Sequence, residues 1–138
     1  MKKTIRFLAP LLAALLLLSL AACGKKSDPW GDARYTEDTS FGSGACAVTV
    51  DVVVGEHTVT FTVHTDRETL ADALLEHDLI AGEEGPYGLY LKVVNGITAD
   101  YDADGTYWAL SQDGEMLMTG VSETPVADGD HFEFVRTK

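Results

Sequence analysis

The sequence predicts an α+β fold, a mixed sheet with one helix packed across it. Three observations carry that prediction. Two stretches alternate apolar and polar residues at the two-residue period of a strand. A capping signal with helical spacing follows, and strand-like alternation then resumes toward the C-terminus. The folded region is expected over residues 45–138, enough chain for one small core and without an internal repeat.

In the first strand Cys46, Val48, Val50, Val52 and Val54 alternate with Ala47, Thr49, Asp51 and Val53. Gly55-Glu56-His57 turns the chain into a second strand, where Val59, Phe61 and Val63 alternate with threonines, so the pair forms a hairpin. Thr65-Asp66-Arg67-Glu68 reads as a capping box, in which the hydroxyl and the carboxylate satisfy free backbone donors. Leu70, Ala73, Leu74 and His77 then share a helix face, and the helix is expected to stop near Asp78. A Gly- and Pro-bearing loop is expected over 83–88. Beyond it Leu89, Leu91 and Val93 alternate with Tyr90 and Lys92, and Asn95-Gly96 forms a turn. Residues 107–111 form a further strand, and Asp113-Gly114 is a hairpin signal into residues 115–119. Asp128-Gly129-Asp130 leads into a last strand that turns Phe132 and Phe134 inward. Strand, strand, helix and then three or four strands is a β-grasp-like order.

The first 22 residues have a different character. Lys2, Lys3 and Arg6 precede an apolar run over 7–20 that is too short to span a membrane comfortably, and the run ends Leu20-Ala21-Ala22-Cys23. This pattern resembles the lipobox of bacterial lipoproteins. The resemblance implies that residues 1–22 are a signal peptide removed before Cys23, and that Cys23 is lipidated. Each buried acyl methylene adds about 0.8 kcal/mol, so more than one chain anchors firmly. The domain is thus expected outside the cytoplasm, held to a membrane through Cys23. Residues 23–44 are rich in Gly, Ser, Asp and Thr and read as a tether with a reach on the order of 25 Å, although Trp30 and Tyr35 lie within it.

Charge narrows the partners. The chain carries 10 basic and 22 acidic residues. Removing Lys2, Lys3 and Arg6 with the signal leaves 7 against 22, a net of −15. Such a charge repels nucleic acid and anionic headgroups, and suits a neutral or cationic ligand. With Cys23 lipidated, Cys46 is the one remaining thiol, which excludes a disulfide framework; at a strand start it reads as a small hydrophobe.

The second half of the domain resembles a known family. The features that carry the resemblance are Val94-Asn95-Gly96-Ile97, Tyr107-Trp108-Ala109-Leu110, Gly120, and Asp128-Gly129-Asp130 before a terminal strand, with the helix phrase starting at Glu68. It is similar to the C-terminal β-domain of transcobalamin and intrinsic factor, and to a family of bacterial surface domains related to it. The resemblance implies a small-molecule-binding module, for which a corrinoid is the first ligand, and no other cofactor. In the vitamin carriers a larger helical barrel supplies much of the site. The sequence shows no segment expected to form one, and that limits the affinity the small domain would reach alone.

Binding would fall on the matching hairpin. Tyr107 and Trp108 offer flat apolar faces with a polar handle, and alternation places Trp108 with Leu110 on one side of the strand. Met116, Leu117 and Met118 across the turn add adaptable apolar contact, and Tyr90 borders the same surface. Trp108 equally suits a core role. Separately, Asp100, Asp102, Asp104 and Gly105 reproduce the start of a calcium loop, but its twelfth position would be Ser111 instead of Glu; a solvated acidic turn is the other reading. His57, His64, His77 and His131 sit in no nucleophile or zinc-ligand motif, so no enzyme activity or catalytic residue is expected. The alternative to ligand capture is a protein-interaction or assembly module at the cell surface, with an exposed sheet edge pairing to a partner strand.

Overall fold

The computed structural model describes residues 28–138. The expected signal segment 1–22 and the expected lipidation site Cys23 lie outside the described residues. Among the described residues nine strands make two sheets, accompanied by two short helices. In chain order the strands are β1 (Thr39–Gly42), β2 (Cys46–Val54), β3 (His57–Thr65), β4 (Ile80–Gly85), β5 (Gly88–Val94), β6 (Ile97–Thr98), β7 (Tyr107–Gln112), β8 (Glu115–Met116) and β9 (His131–Thr137). Helix α1 (Leu70–Leu75) follows β3 and helix α2 (Tyr101–Asp104) follows β6.

The larger sheet has the spatial order β1-β3-β2-β9-β7-β8. It is mixed, as the sequence predicted: β1 runs parallel to β3 and β9 parallel to β2, while the other pairs are antiparallel. Register follows from the valine alternation. Val48, Val50 and Val52 stand opposite Val63, Phe61 and Val59 on one side, and β9 sets Phe132 and Phe134 beside Val50 and Val52. A one-residue slip would turn all of these to water. Each such side chain gains about 1.5–3 kcal/mol on full burial. The apolar face is covered by α1 and by the smaller sheet β4-β5-β6, whose Ile80, Val94 and Ile97 join the same core cluster as Leu79 just before β4.

Four expectations are corrected. The helix begins later, because Thr65 is a buried β3 residue paired with Cys46; Thr69 is the cap, its hydroxyl accepting the Asp72 N–H at 3.3 Å. The turns that follow α1 do end at Asp78, where φ is 55° and the Leu79 N–H returns to the Leu74 carbonyl at 3.0 Å. The expected loop over 83–88 is a hairpin, β4 pairing with β5 across Pro86-Tyr87. Its glycines and exposed glutamates carry no alternation to read, as befits an edge strand.

The part of the expected tether within the described residues is folded onto the domain. Pro29–Asp32 forms a 3-10 turn capped by the Asp28 carboxylate, and Trp30 stacks on His57 at 5.0 Å. Tyr35, Phe41 and Phe61 meet edge to face at 5.1–5.7 Å. The buried Asn95 side chain accepts the Tyr35 N–H (2.9 Å) and donates to its carbonyl (2.8 Å), fastening this segment to the β5–β6 turn.

Last, the strand expected over 115–119 pairs only through Met116. Val121–Glu123 forms a buried-facing 3-10 turn, the Thr124 hydroxyl donates to the Gly120 carbonyl at 2.8 Å, and the Thr124 carbonyl accepts the Leu70 N–H at 2.8 Å. These bonds pull the segment under α1 and away from β7.

Candidate functional site

That departure opens a groove. One wall is β5 and the other β7: β6 pairs with Val93 and Val94 and the Ala99 N–H reaches on to the Lys92 carbonyl at 2.8 Å, while β8 pairs with Ser111 and Gln112 and the Leu117 N–H reaches on to the Leu110 carbonyl at 2.9 Å. The groove holds a cavity of about 340 Å³ lined on the β7–β8 side by Tyr107, Trp108, Leu110, Met116 and Leu117, and on the β5 side by Tyr90. Six of the seven sequence-derived binding candidates therefore share one cavity. The seventh, Met118, lines an adjoining cavity of about 500 Å³ together with Tyr87, and Leu89, Tyr90 and Gly120 border both.

Exposure is unusual here. Tyr87 is 85% exposed and Met118 96%, with Met116, Tyr90 and Tyr107 also open to solvent. Apolar side chains gathered this way on a chain otherwise rich in carboxylates are a feature of binding surfaces. Trp108 combines the two roles weighed from the sequence. It is 8% exposed and part of the core cluster, and its indole N–H donates to the Lys92 carbonyl at 3.1 Å, yet it also forms part of the groove wall. It joins the two sheets at the groove floor.

The sequence reading missed Leu89, Leu91 and Val121, which also line the cavity. Leu89 and Leu91 carried a signal, since they flank Tyr90 on one strand; Val121 carried none, because a three-residue 3-10 turn has no period to detect.

One charged side chain lines the two cavities, and it is negative. Glu123 lines the outer cavity, and Lys92 is drawn to Glu83 at 3.2 Å. The Glu83 hydrogen bond, and then its charge, hold the Lys92 ammonium above its ordinary pKa.

The acidic turn lies elsewhere, and its carboxylates do not converge. Asp100 caps α2, accepting the Asp102 N–H at 3.1 Å. Asp104 accepts from the Thr106 hydroxyl and N–H and faces Arg136 at 3.4 Å, and the Thr106 hydroxyl is the main cause of its depressed pKa. Among the described residues no group of three or more His, Cys, Asp or Glu is placed to hold a metal ion. The segment forms a helical turn in which the Asp100 and Asp104 carboxylates are each engaged in local bonds, in keeping with the acidic-turn reading. Cys46 is a free thiol whose pKa is raised by burial first, and then by Asp128, Asp130 and Asp66.

Residues 68–137, which include every residue of the inner cavity, match the family described as Domain of unknown function (DUF4430). The chain belongs to the DUF4430 family. No curated protein matches it. Among solved structures, this DUF4430 chain is similar to a provisionally assigned metal binding protein from Ruminococcus gnavus ATCC 29149. The two are 35% identical with a TM-score of 0.63, over 67% of this chain and 97% of the other. It is also similar to haptocorrin in complex with Cbi, at 27% identity and a TM-score of 0.52, over 71% of this chain. The likeness covers 26% of haptocorrin, so the DUF4430 chain corresponds to about a quarter of that protein. The expected transcobalamin-like resemblance is met as structural similarity to haptocorrin, while the family shown is DUF4430.

Proposed function

We propose that this chain is a membrane-anchored extracytoplasmic lipoprotein whose domain binds a small molecule in the groove between β5 and β7, with a corrinoid as the first candidate ligand. It binds and does not catalyse. The observation that carries this reading is the meeting of six binding candidates in one cavity, chosen from the sequence for their flat or adaptable apolar faces. Haptocorrin, solved with Cbi, supports the choice of ligand class, and the lipobox-like end at Cys23 supports the anchor. We read the fold as β-grasp-like, with the β2–β3 hairpin, α1, and β9 returning parallel beside β2.

Metal is not the ligand we favour, since the described carboxylates and imidazoles form no converging set. The cavities, about 340 and 500 Å³, are open and of small-molecule size, and the missing enclosing surface favours modest affinity.

The test is a titration of the full-length protein with cobinamide and cobalamin, following corrinoid absorbance and tryptophan fluorescence together. Saturable binding that weakens in Tyr107→Ala and Tyr90→Ala supports the reading. Both tyrosines stand on the rim, so these variants report binding without opening the core. Failure of both corrinoids to bind at high micromolar concentration would remove the corrinoid assignment.

A further inference from the structure

The outer of the two cavities has its own lining and its own charge. It encloses about 500 Å³ between the tip of the β4–β5 hairpin and the Val121–Glu123 turn, with Tyr87, Tyr90, Met118 and Glu123 among its walls. A hydrogen bond ties its two sides together: the Ser122 hydroxyl accepts the Leu89 N–H at 3.0 Å. Tyr90 and Glu123 are thus chain neighbours of a bonded pair. Gly88 permits this approach, since its φ is 98° and a Cβ there would stand 2.6 Å from the Ser122 Cβ. The turn is fixed in its own right. The Glu123 N–H donates to the Gly120 carbonyl at 3.1 Å, and the Thr124 hydroxyl donates to the same carbonyl at 2.8 Å.

The lining combines aromatic faces with a single negative charge. Glu123 is exposed, and among the described residues it forms no ion pair. No lysine, arginine or histidine lines the cavity to receive an anion. The Tyr90 ring already stands within reach of an ammonium, with Lys92 Nζ 5.8 Å from its centroid and tied to Glu83 at 3.2 Å. Lys92 lines neither cavity while Tyr90 lines both, so the ring keeps a side for a ligand. We infer that the outer cavity binds a small, free organic cation of the quaternary ammonium class. Tyr87 and Tyr90 supply ring faces, Met118 adaptable apolar contact, and Glu123 the countercharge. An aromatic face attracts a cation through the ring quadrupole, and quaternary ammonium groups are the usual guests of such sites. A primary ammonium would bring three N–H donors to a lining with few side-chain acceptors beyond Glu123, whereas a quaternary one brings none. The net charge of −12 draws cations toward this surface as a whole. This inference rests on reading the surface as a small-molecule site, and its ligand class is separate from the corrinoid.

The probe is choline, titrated into full-length protein at constant ionic strength while its methyl protons and the Tyr87 and Tyr90 ring protons are followed by NMR. Saturable binding is expected, with the methyl resonance moved upfield by the ring currents. The neutral isostere of choline, in which a tert-butyl group replaces the trimethylammonium, should bind about tenfold or more weakly. Glu123→Gln should weaken choline about tenfold by removing the countercharge. Tyr87→Phe should keep the affinity and Tyr87→Leu should lose it, since the first retains an aromatic face. Both positions are exposed, so these variants keep the fold. Phosphocholine should bind more weakly than choline, because its phosphate meets Glu123; tighter binding would overturn the free cation in favour of a lipid headgroup. Equal binding of the neutral isostere, unchanged affinity in Glu123→Gln, or no saturation by choline would each overturn the inference. A protein that binds cobinamide but not choline overturns this inference alone, and one that binds choline but neither corrinoid removes the corrinoid assignment alone.

Discussion

The two sheets of this domain face each other across one core, yet they are built by opposite rules. In the larger sheet every central strand has partners on both sides and its inner face is dry: Val48, Val52, Val63, Phe132 and Phe134 are fully buried. In the smaller sheet β4 is exposed beyond Ile80, β6 has two residues, and β5 keeps one edge open. The central strands β2, β3 and β9 use their apolar residues for stability. The exposed side chains that border the groove come from the smaller sheet, with Tyr90 on β5, and from the outer strands of the larger one, with Tyr107 on β7 and Met116 on β8. Stability and recognition are separated in space, so substitutions should separate them too.

The largest effect is expected where the larger sheet is densest. Phe61→Ala should cost about 3–5 kcal/mol in urea unfolding, because the ring is held between β2 and the Tyr35 and Phe41 edges and the site has little room to collapse. A loss under about 1 kcal/mol there would break the comparison. Asn95→Ala should cost about 2 kcal/mol, since it leaves both Tyr35 main-chain groups without their partner at a buried site and places alanine at φ 53°. The same variant should expose the 28–44 segment to protease first, which would mark it as a fastened strap and not a core strand.

Groove substitutions should behave in the other way. Tyr90→Ala and Tyr107→Ala should change stability by no more than about 0.5 kcal/mol while weakening the ligand, whichever ligand the titrations reveal. Cys46 sharpens the picture at the start of β2 in the larger sheet. With its thiol pushed up by burial and three aspartates, alkylation by iodoacetamide at pH 8 should be much slower in the native protein than in urea. The smallest effect concerns Asp104. Its carboxyl is held below the usual range by Thr106, so the stability it contributes is present above the unfolded pKa of about 3.9 and is lost as pH falls through the folded value. The denaturation midpoints of the wild type and Asp104→Asn should therefore differ at pH 6 and converge in strong acid.

Much of the larger sheet was legible because alternation is a local signal. The β2–β3 hairpin, the inward Phe132 and Phe134, and the Asn95-Gly96 and Asp113-Gly114 turns all follow from two-residue periods and left-handed turn residues. The helix start at Thr69 was not legible, since Thr65 offered an equally good capping pattern and only the β2–β3 register consumed it. The aromatic residues of the 28–44 segment announced packing without saying against what. Trp108 shows the same limit within the candidate site. Its strand face was readable, but its bond to the Lys92 carbonyl depends on a strand 16 residues away.

By itself the sequence determined the mixed sheet, the hairpin turns, and which side chains could serve as flat apolar contacts, because each depends on residue type and near-neighbour spacing. The tertiary structure decided that those contacts would meet in a groove. Leu117 keeps one bond to β7, but the Thr124 hydrogen bonds to Gly120 and Leu70 draw the following segment under α1. Competition between distant partners for the same few residues ended β8 early, and no local period records the outcome of that competition.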